Sequence, residues 1–162
     1  MSFAIVARSE SIKAFFENPI FLSSVSSWFI AQLMKAAIVL LKGHRRNGRE
    51  ILGTIAWRTG GMPSSHASLV SAMTTSVAFR EGINSNLFII AFFFALIVMR
   101  DAMGVRRSSG IQARTLNLLG RQLVESVRIE YHPIKEVHGH APLEVVIGAF
   151  LGIFIAAAYA YL

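Results

Sequence analysis

The sequence predicts an all-α integral membrane helical bundle of about four transmembrane helices, with an amphipathic basic helix in the loop before the last span. Three observations carry that expectation. Hydrophobic residues make up 54% of the chain and charged residues only 15%, a balance that belongs to membrane proteins, and mean hydropathy is +0.53. Three apolar stretches approach the roughly 20 residues needed to cross a bilayer. The Lys and Arg residues gather in two of the intervening segments, as they do in multi-pass proteins.

The first span is expected over about residues 18–41. It carries Lys35, on the order of 10 Å from the nearer end at helical rise. A lysine at that depth is costly unless it faces the bundle interior or snorkels, so a functional role is the default expectation. The second span, over about 62–80, reads "MPSSHASLVSAMTTSVAF" and is rich in Ser, Thr and Ala. Small and hydroxylated residues let helices approach closely and bond across the interface, so this segment is expected inside the bundle, shielded from lipid. A three-span chain with a re-entrant second segment is the rival arrangement. The third span covers about 86–103, where Gly104 lets the helix end, and the fourth covers about 142–162.

Between the last two spans a surface helix is expected over about 107–132. Leu116, Leu119, Leu123 and Val127 recur at helical spacing, and Arg107, Arg114, Arg121, Arg128 and Lys135 fall seven residues apart, hence along one slowly drifting face. A basic stripe beside an apolar one suits a helix on an anionic leaflet. A solvated helix packed on the bundle is the alternative, and Gly110 and Gly120 weigh against a helix of either kind. Residues 1–162 are read as one membrane-embedded domain, without repeats or a flexible linker.

Orientation follows from charge. Lys42, Arg45, Arg46, Arg49 and Arg58 follow the first span, and Arg106, Arg107, Arg114, Arg121, Arg128 and Lys135 follow the third, whereas the other side has only Arg8, Lys13 and Arg80. The two basic loops are therefore expected in the cytoplasm and both termini outside. The formal charge of +7 belongs to these loops, so a nucleic-acid partner is not expected. The absence of cysteine rules out disulfide and thiolate chemistry. The opening "MSFAIVARSE" holds too short an apolar run for a secretory signal.

Two stretches carry chemistry. In "GGMPSSH", residues 60–66, the glycines allow a sharp turn and Pro63 is tolerated in the first turn of a helix. Free N–H groups and the positive dipole end of that helix attract an anion, particularly phosphate, to which His66 is placed to give a proton. A serine pair that caps the helix beside an interfacial histidine is the plainer reading. In "HGHAPLEVVIGAFLG", residues 138–152, His140 and Glu144 are four apart and share a face once Pro142 starts the helix. A carboxylate on one imidazole nitrogen fixes the tautomer and frees the other as nucleophile or base, although such a pair also occurs as a structural bond at a helix end. The "HGH" run with Glu144 suggests no metal site, because residues two apart do not share a helical face. His44 and His132 are read as interfacial.

Together these stretches resemble the type 2 phosphatidic acid phosphatase and vanadium haloperoxidase superfamily, whose pattern is K-x6-R-P, then P-S-G-H, then S-R-x5-H-x3-D. Here "PSSH", Pro63 to His66, has Ser65 for the glycine, and "HAPLEVVIG", His140 to Gly148, has Glu144 for the aspartate. More closely, "NPIFLSS", "AQLMK", "TGGMPSSH", "DAMGVRR" and "GHAPLEV" are similar to the divergent branch of that superfamily found in bacteria and plastids. The likeness runs over nearly the whole chain from Asn18. No K-x6-R-P is recognisable, and Pro133 and Ile134 stand where the superfamily has S-R.

The resemblance implies a lipid phosphate phosphatase in which His140 is the nucleophile, Glu144 orients it and His66 protonates the leaving oxygen. A histidine nucleophile requires no metal or other cofactor. Lys35, Arg106, Arg107, Ser64 and Ser65 are the expected phosphate-binding residues, with Asp101 a charge partner for Arg100, Arg106 or Lys35. Arg106 and Arg107 read equally well as topology signals. The expected partners are a lipid phosphate substrate and anionic headgroups on the cytoplasmic side, with homo-oligomer formation left open. The expected location is a bacterial inner membrane, with the site facing the cytoplasm. The alternative is a non-catalytic lipid-phosphate binder, transporter or scaffold, that keeps the anion pocket.

Overall fold

The computed structural model describes residues 10–41, 61–127, 130–136 and 139–161. The expectations for Arg8, for Lys42, His44, Arg45, Arg46, Arg49 and Arg58, and for Arg128 and His138 lie outside the described residues. A short helical segment over residues 10–16 comes first. Then follow α1 (Pro19–Leu41), α2 (Ser65–Glu81), α3 (Asn86–Met103), α4 (Val105–Val127) and α5 (Pro142–Tyr161), and no strand is present among the described residues.

Among the described residues, three helical runs are long and apolar enough to cross a membrane: α1, the run Asn86–Val124 and α5. The remaining bundle helix, α2, has 17 residues and packs against α1, α3 and α5. Its low apolar content is the consequence of that central place, because what surrounds it is protein rather than lipid.

Local signals set the helix ends. The Ile20 N–H donates to Asn18 Oδ1 at 2.8 Å, and the Phe88 N–H donates to Ser85 Oγ at 3.1 Å, each satisfying a donor that the first turn leaves orphaned. At the end of α3, the Gly104 N–H reaches the Arg100 carbonyl at 2.8 Å. Ser64, not Pro63, is the N-cap of α2. The expectation that Pro63 lies in the first helical turn is therefore corrected: it precedes the cap, fully buried, because the serine hydroxyl serves the α2 donors better than proline can.

The seams between helices are made of small residues. Toward α2, α1 buries Ser23, Ser27, Ala31 and Lys35, spaced four apart on one face. Ser23 Oγ lies 2.6 Å from Ser76 Oγ and Ser27 Oγ 2.5 Å from Ser68 Oγ. On α3 the buried residues are Ala91, Ala95 and Ala102, and Thr74 Oγ1 of α2 donates to the Ala91 carbonyl at 3.1 Å. On α5, Gly148 and Gly152 are so close to α2 that a Cβ on either would strike the carbonyl oxygen of Ser64 or Ser68 respectively. Both pairs advance four residues in the same sense, so α2 and α5 run parallel, and the ends of α1 and α3 meet their starts. Away from the seams, Phe93, Ile97, Phe150 and Phe154 are exposed, as an apolar solvent permits.

The loop helix differs from expectation at its end. It runs from Val105 to Val127, through Gly110 and Gly120, and residues 130–136 are not helical. The chain folds back along α4 because Asn117 uses its whole side-chain amide to hold it. Asn117 Nδ2 donates to the Ile134 carbonyl at 2.9 Å and to Glu136 Oε1 at 3.0 Å, while Oδ1 accepts from the Tyr131 hydroxyl at 2.7 Å and the Ile134 N–H at 2.8 Å. Lys135 is therefore on this returning segment and not on the basic face with Arg107, Arg114 and Arg121.

Candidate functional site

The C-terminal ends of α1 and α3 and the N-terminal ends of α2 and α5 come together at one end of the bundle. Two parallel helices thus aim their positive dipole ends at one place. The Ser64 N–H donates to the Glu144 carbonyl at 2.9 Å, which ties "PSSH" directly to "HAPLE". The Gly148 contact with Ser64 sets the approach of the two helices one turn deeper.

Pro142 occupies the first position of α5, and Glu144 is two residues further on. Its Oε2 accepts the Ala141 N–H at 3.2 Å and lies 2.9 Å from His140 Nδ1. One carboxylate therefore closes the helix start in the manner of a capping box and also holds the imidazole. His140 is nearly enclosed, its side chain 5% exposed against 24% for Glu144, and its N–H donates to the Ala102 carbonyl at 3.0 Å. With Nδ1 engaged by a carboxylate, Nε2 is the nitrogen left with chemistry to do.

Lys35 is buried and its Nζ donates to Ser65 Oγ at 3.2 Å. Burying an ammonium costs several kcal/mol unless hydrogen bonds and opposite charge compensate it; Ser65 supplies the first, and Glu144 is the charge that acts on it. Ser64 is fully buried as the α2 cap, its Oγ accepting the Ala67 N–H at 3.4 Å. His66, by contrast, is exposed and makes no hydrogen bond to any described residue. The charged groups near enough to act on its ring are Arg106, Lys35, His140 and Asp101. Five of the expected site residues thus share one electrostatic neighbourhood.

The two arginines part company. Arg106 Nε pairs with Asp101 Oδ2 at 2.5 Å, which selects Arg106 among the partners considered for that aspartate. Arg107, about 100° further round the helix, lines a cavity of about 270 Å³ with Arg114 and Glu136. Its backbone lies against Gly139, where any Cβ would collide with the Arg107 Cα and N. Gly139 is thus required by the close passage of the chain just before His140.

Beneath the site, Ala67, Ala102 and Val145 form a buried apolar floor with Met99 and Met103 packed on it. Among the described residues no group of three His, Asp or Glu side chains is arranged to hold a metal ion. Residues that the sequence reading passed over are Asn117, Gly139 and the pair Gly148 and Gly152. The last pair had a signal in plain view, a small residue at i and i+4 in an apolar run.

Comparison with known proteins agrees with this architecture. Over 151 residues the chain is 35% identical to an uncharacterized membrane protein, YuiD, of Bacillus subtilis (strain 168), covering 86% of this chain and 92% of the relative. No solved structure matches the chain. The profile of the Divergent PAP2 family matches residues 16–155, a stretch that includes every expected site residue. The chain is a membrane protein and belongs to the Divergent PAP2 family.

Proposed function

We propose that the protein is an integral membrane phosphatase that hydrolyses a phosphomonoester or diphosphate lipid through a phosphohistidine on His140. The observation that carries this reading is the enclosed bond between His140 Nδ1 and the Glu144 carboxylate, which presents Nε2 as a nucleophile. Nε2 attacks phosphorus, the P–N bond forms, and the bond from phosphorus to the lipid oxygen breaks. His66, exposed and bonded to none of the described residues, gives that oxygen a proton. Water then attacks the phosphohistidine, His66 takes the proton, and the P–N bond breaks to release phosphate.

Phosphoryl transfer depends chiefly on positioning and electrostatic stabilisation. Lys35, steered by Ser65, and Arg106 supply the positive charge, and the starts of α2 and α5 add their dipole ends. The scheme calls for no metal. Arg107 belongs with Arg114 and Arg121 on the α4 ridge, which faces anionic headgroups. In this reading the protein is a single domain of a bacterial inner membrane with its site toward the cytoplasm, an orientation supported by the gathering of Lys and Arg in the loops after the first and third spans. Phosphatidic acid, phosphatidylglycerol phosphate and polyprenyl phosphates all have the required shape.

The test is phosphate release by the purified protein in detergent, without added metal, from a panel of lipid phosphates. Release by the wild type and none by His140→Ala supports the reading, whereas equal release by both removes the nucleophile. One observation favours a second reading, a lipid-phosphate binder without turnover: Asp101 already engages Arg106. Vanadate separates the two, since a phosphohistidine site traps it as a trigonal-bipyramidal adduct and a binding site treats it as phosphate.

A further inference from the structure

Between α3 and α5, with α2 as floor, lie two cavities of about 490 Å³ and 550 Å³, each within the usual size range of ligand sites. Both are lined by Leu96, Met99, Ala149 and Ile153, so they are two halves of one groove. Its cause is the small-residue packing already described. The alanines of α3 and the glycines of α5 draw each helix closely onto α2, on opposite flanks, and α3 and α5 touch one another only sparingly. The slot left between them is floored by Ser71, Thr75 and Ala78 of α2.

One end of the groove is at the candidate site. It reaches Arg100, Met103 and Val145, and Val145 directly follows Glu144. The other end reaches Ile83 and Phe88, at the far side of the bundle. From Phe88 to Met103 is roughly 22 Å at helical rise, whereas one leaflet contributes about 15 Å of hydrocarbon. A chain seated along the groove therefore passes the bilayer midplane.

We infer that the groove is a hydrocarbon-chain subsite, holding one extended chain of a phosphorylated lipid whose phosphate lies between His140 and His66. The inference rests on the anion-binding part of the proposed function and deepens it. Leucine, methionine and isoleucine walls give the groove affinity for hydrocarbon without hydrogen-bond demands, and Ala149 gives it depth at the middle. The exposed Arg100 stands at the mouth, where its guanidinium meets a headgroup while its stem covers apolar surface. The length of the groove favours chains longer than a single leaflet is thick, which both long diacyl and isoprenoid lipid phosphates supply.

The test is photo-crosslinking of the full-length protein in phosphatidylcholine vesicles that carry a trace of phosphatidic acid with a diazirine late in one acyl chain. A phosphatidylcholine with the same chain is the control. The phosphatidic acid is expected to label Met99 and Ile153 over the outward-facing Ile97 and Phe154 by on the order of tenfold, what two helix dipole ends acting on its phosphate supply. The control is expected to label all four alike. Ala149→Phe, which fills the middle of the groove, is expected to remove the preference. Leu96→Trp, at a half-exposed position on the same wall, is a second variant that leaves the helix seams alone. Even labelling by the phosphatidic acid, unchanged in either variant, overturns the inference. Unlabelled long-chain phosphatidic acid and polyisoprenyl phosphate are then run as competitors, and the stronger one names the source of the chain. Groove labelling in a protein that releases no phosphate keeps the subsite and rejects the phosphatase. Phosphate release with even labelling does the reverse.

Discussion

Along the seam between α2 and α5, glycines lie against backbone carbonyls, whereas α4 meets the other described helices only at α3 and exposes Leu116, Leu119 and Leu123. The seam is held by groups with no freedom to move: Gly148 on Ser64, Gly152 on Ser68, and the Ser64 N–H on the Glu144 carbonyl. The α4 helix is held at its start by the Arg106–Asp101 pair and, further along, by the returning segment that Asn117 grips. His140 and His66, the residues whose relative positions matter most to the proposed reaction, are therefore carried by the seam. The part proposed to meet a lipid surface is left on side-chain contacts rather than on backbone packing.

The largest effect is expected from breaking the seam. Gly152→Leu puts a side chain where the Ser68 carbonyl is, and overpacking that ordinarily costs about 1–3 kcal/mol has here only backbone to push against. Little folded protein is expected in a detergent-solubilised preparation analysed by size exclusion. A normal monodisperse peak at wild-type yield would mean that α2 and α5 are not locked together.

Within an intact seam, the next effect belongs to His66. Its replacement by alanine is expected to lower turnover by about 10²–10⁴-fold, the usual worth of a general acid, and by much less on a nitrophenyl phosphate whose leaving group needs no proton. Equal losses on both substrates would take the acid role away from His66. Glu144→Gln is expected to cost less than His66→Ala, since glutamine still orients the ring.

Asn117→Ala probes the link between the two regions. It leaves the Ile134 N–H and carbonyl without their partner, a penalty of about 1–3 kcal/mol where such groups are buried. Limited proteolysis is expected to open the chain over residues 130–136 while α1, α2, α3 and α5 stay intact. Resistance equal to wild type would show that the segment holds to α4 by other means.

The smallest energetic effect is expected on α4 itself. Leu119→Cys is an exposed change worth no more than about 0.5 kcal/mol of stability. Because the chain has no other cysteine, a fluorophore attached there reports on that face alone. In anionic vesicles it is expected to be quenched by brominated lipid more strongly than the same fluorophore at Arg121→Cys. Equal quenching would leave α4 a solvated helix.

How much of this was legible follows the range of the forces involved. The spans were written in apolar length, and the interior place of α2 in its serines, threonines and alanines. The pairing of His140 with Glu144 followed from their spacing of four and from Pro142, all local features. Lys35 was flagged by its depth alone, and its partner Ser65 came from another helix. The reading failed where a single side chain overrode periodicity. Lys135 keeps the seven-residue spacing of the arginines, yet Asn117 bonds the chain back on itself, and no local pattern announces a contact between residues 117 and 134. Pro63 falls just outside the helix rather than in its first turn, because proline and serine both mark helix starts and only the cap geometry decides between them. The separation of Arg106 from Arg107 depends on where α4 begins after Gly104, which the sequence leaves open by a residue or two.

The most direct test of the central claim is to look for the phosphohistidine. The purified protein is mixed with a lipid phosphate labelled in its phosphoryl group, quenched in alkali, where phosphohistidine survives, and mapped by mass spectrometry. The account predicts a phosphoryl group on His140, accumulating when His66 is replaced by alanine and a good leaving group is used, and absent from His140→Ala. Phosphate release by the wild type with no label on His140, or with undiminished release in His140→Ala, would contradict it.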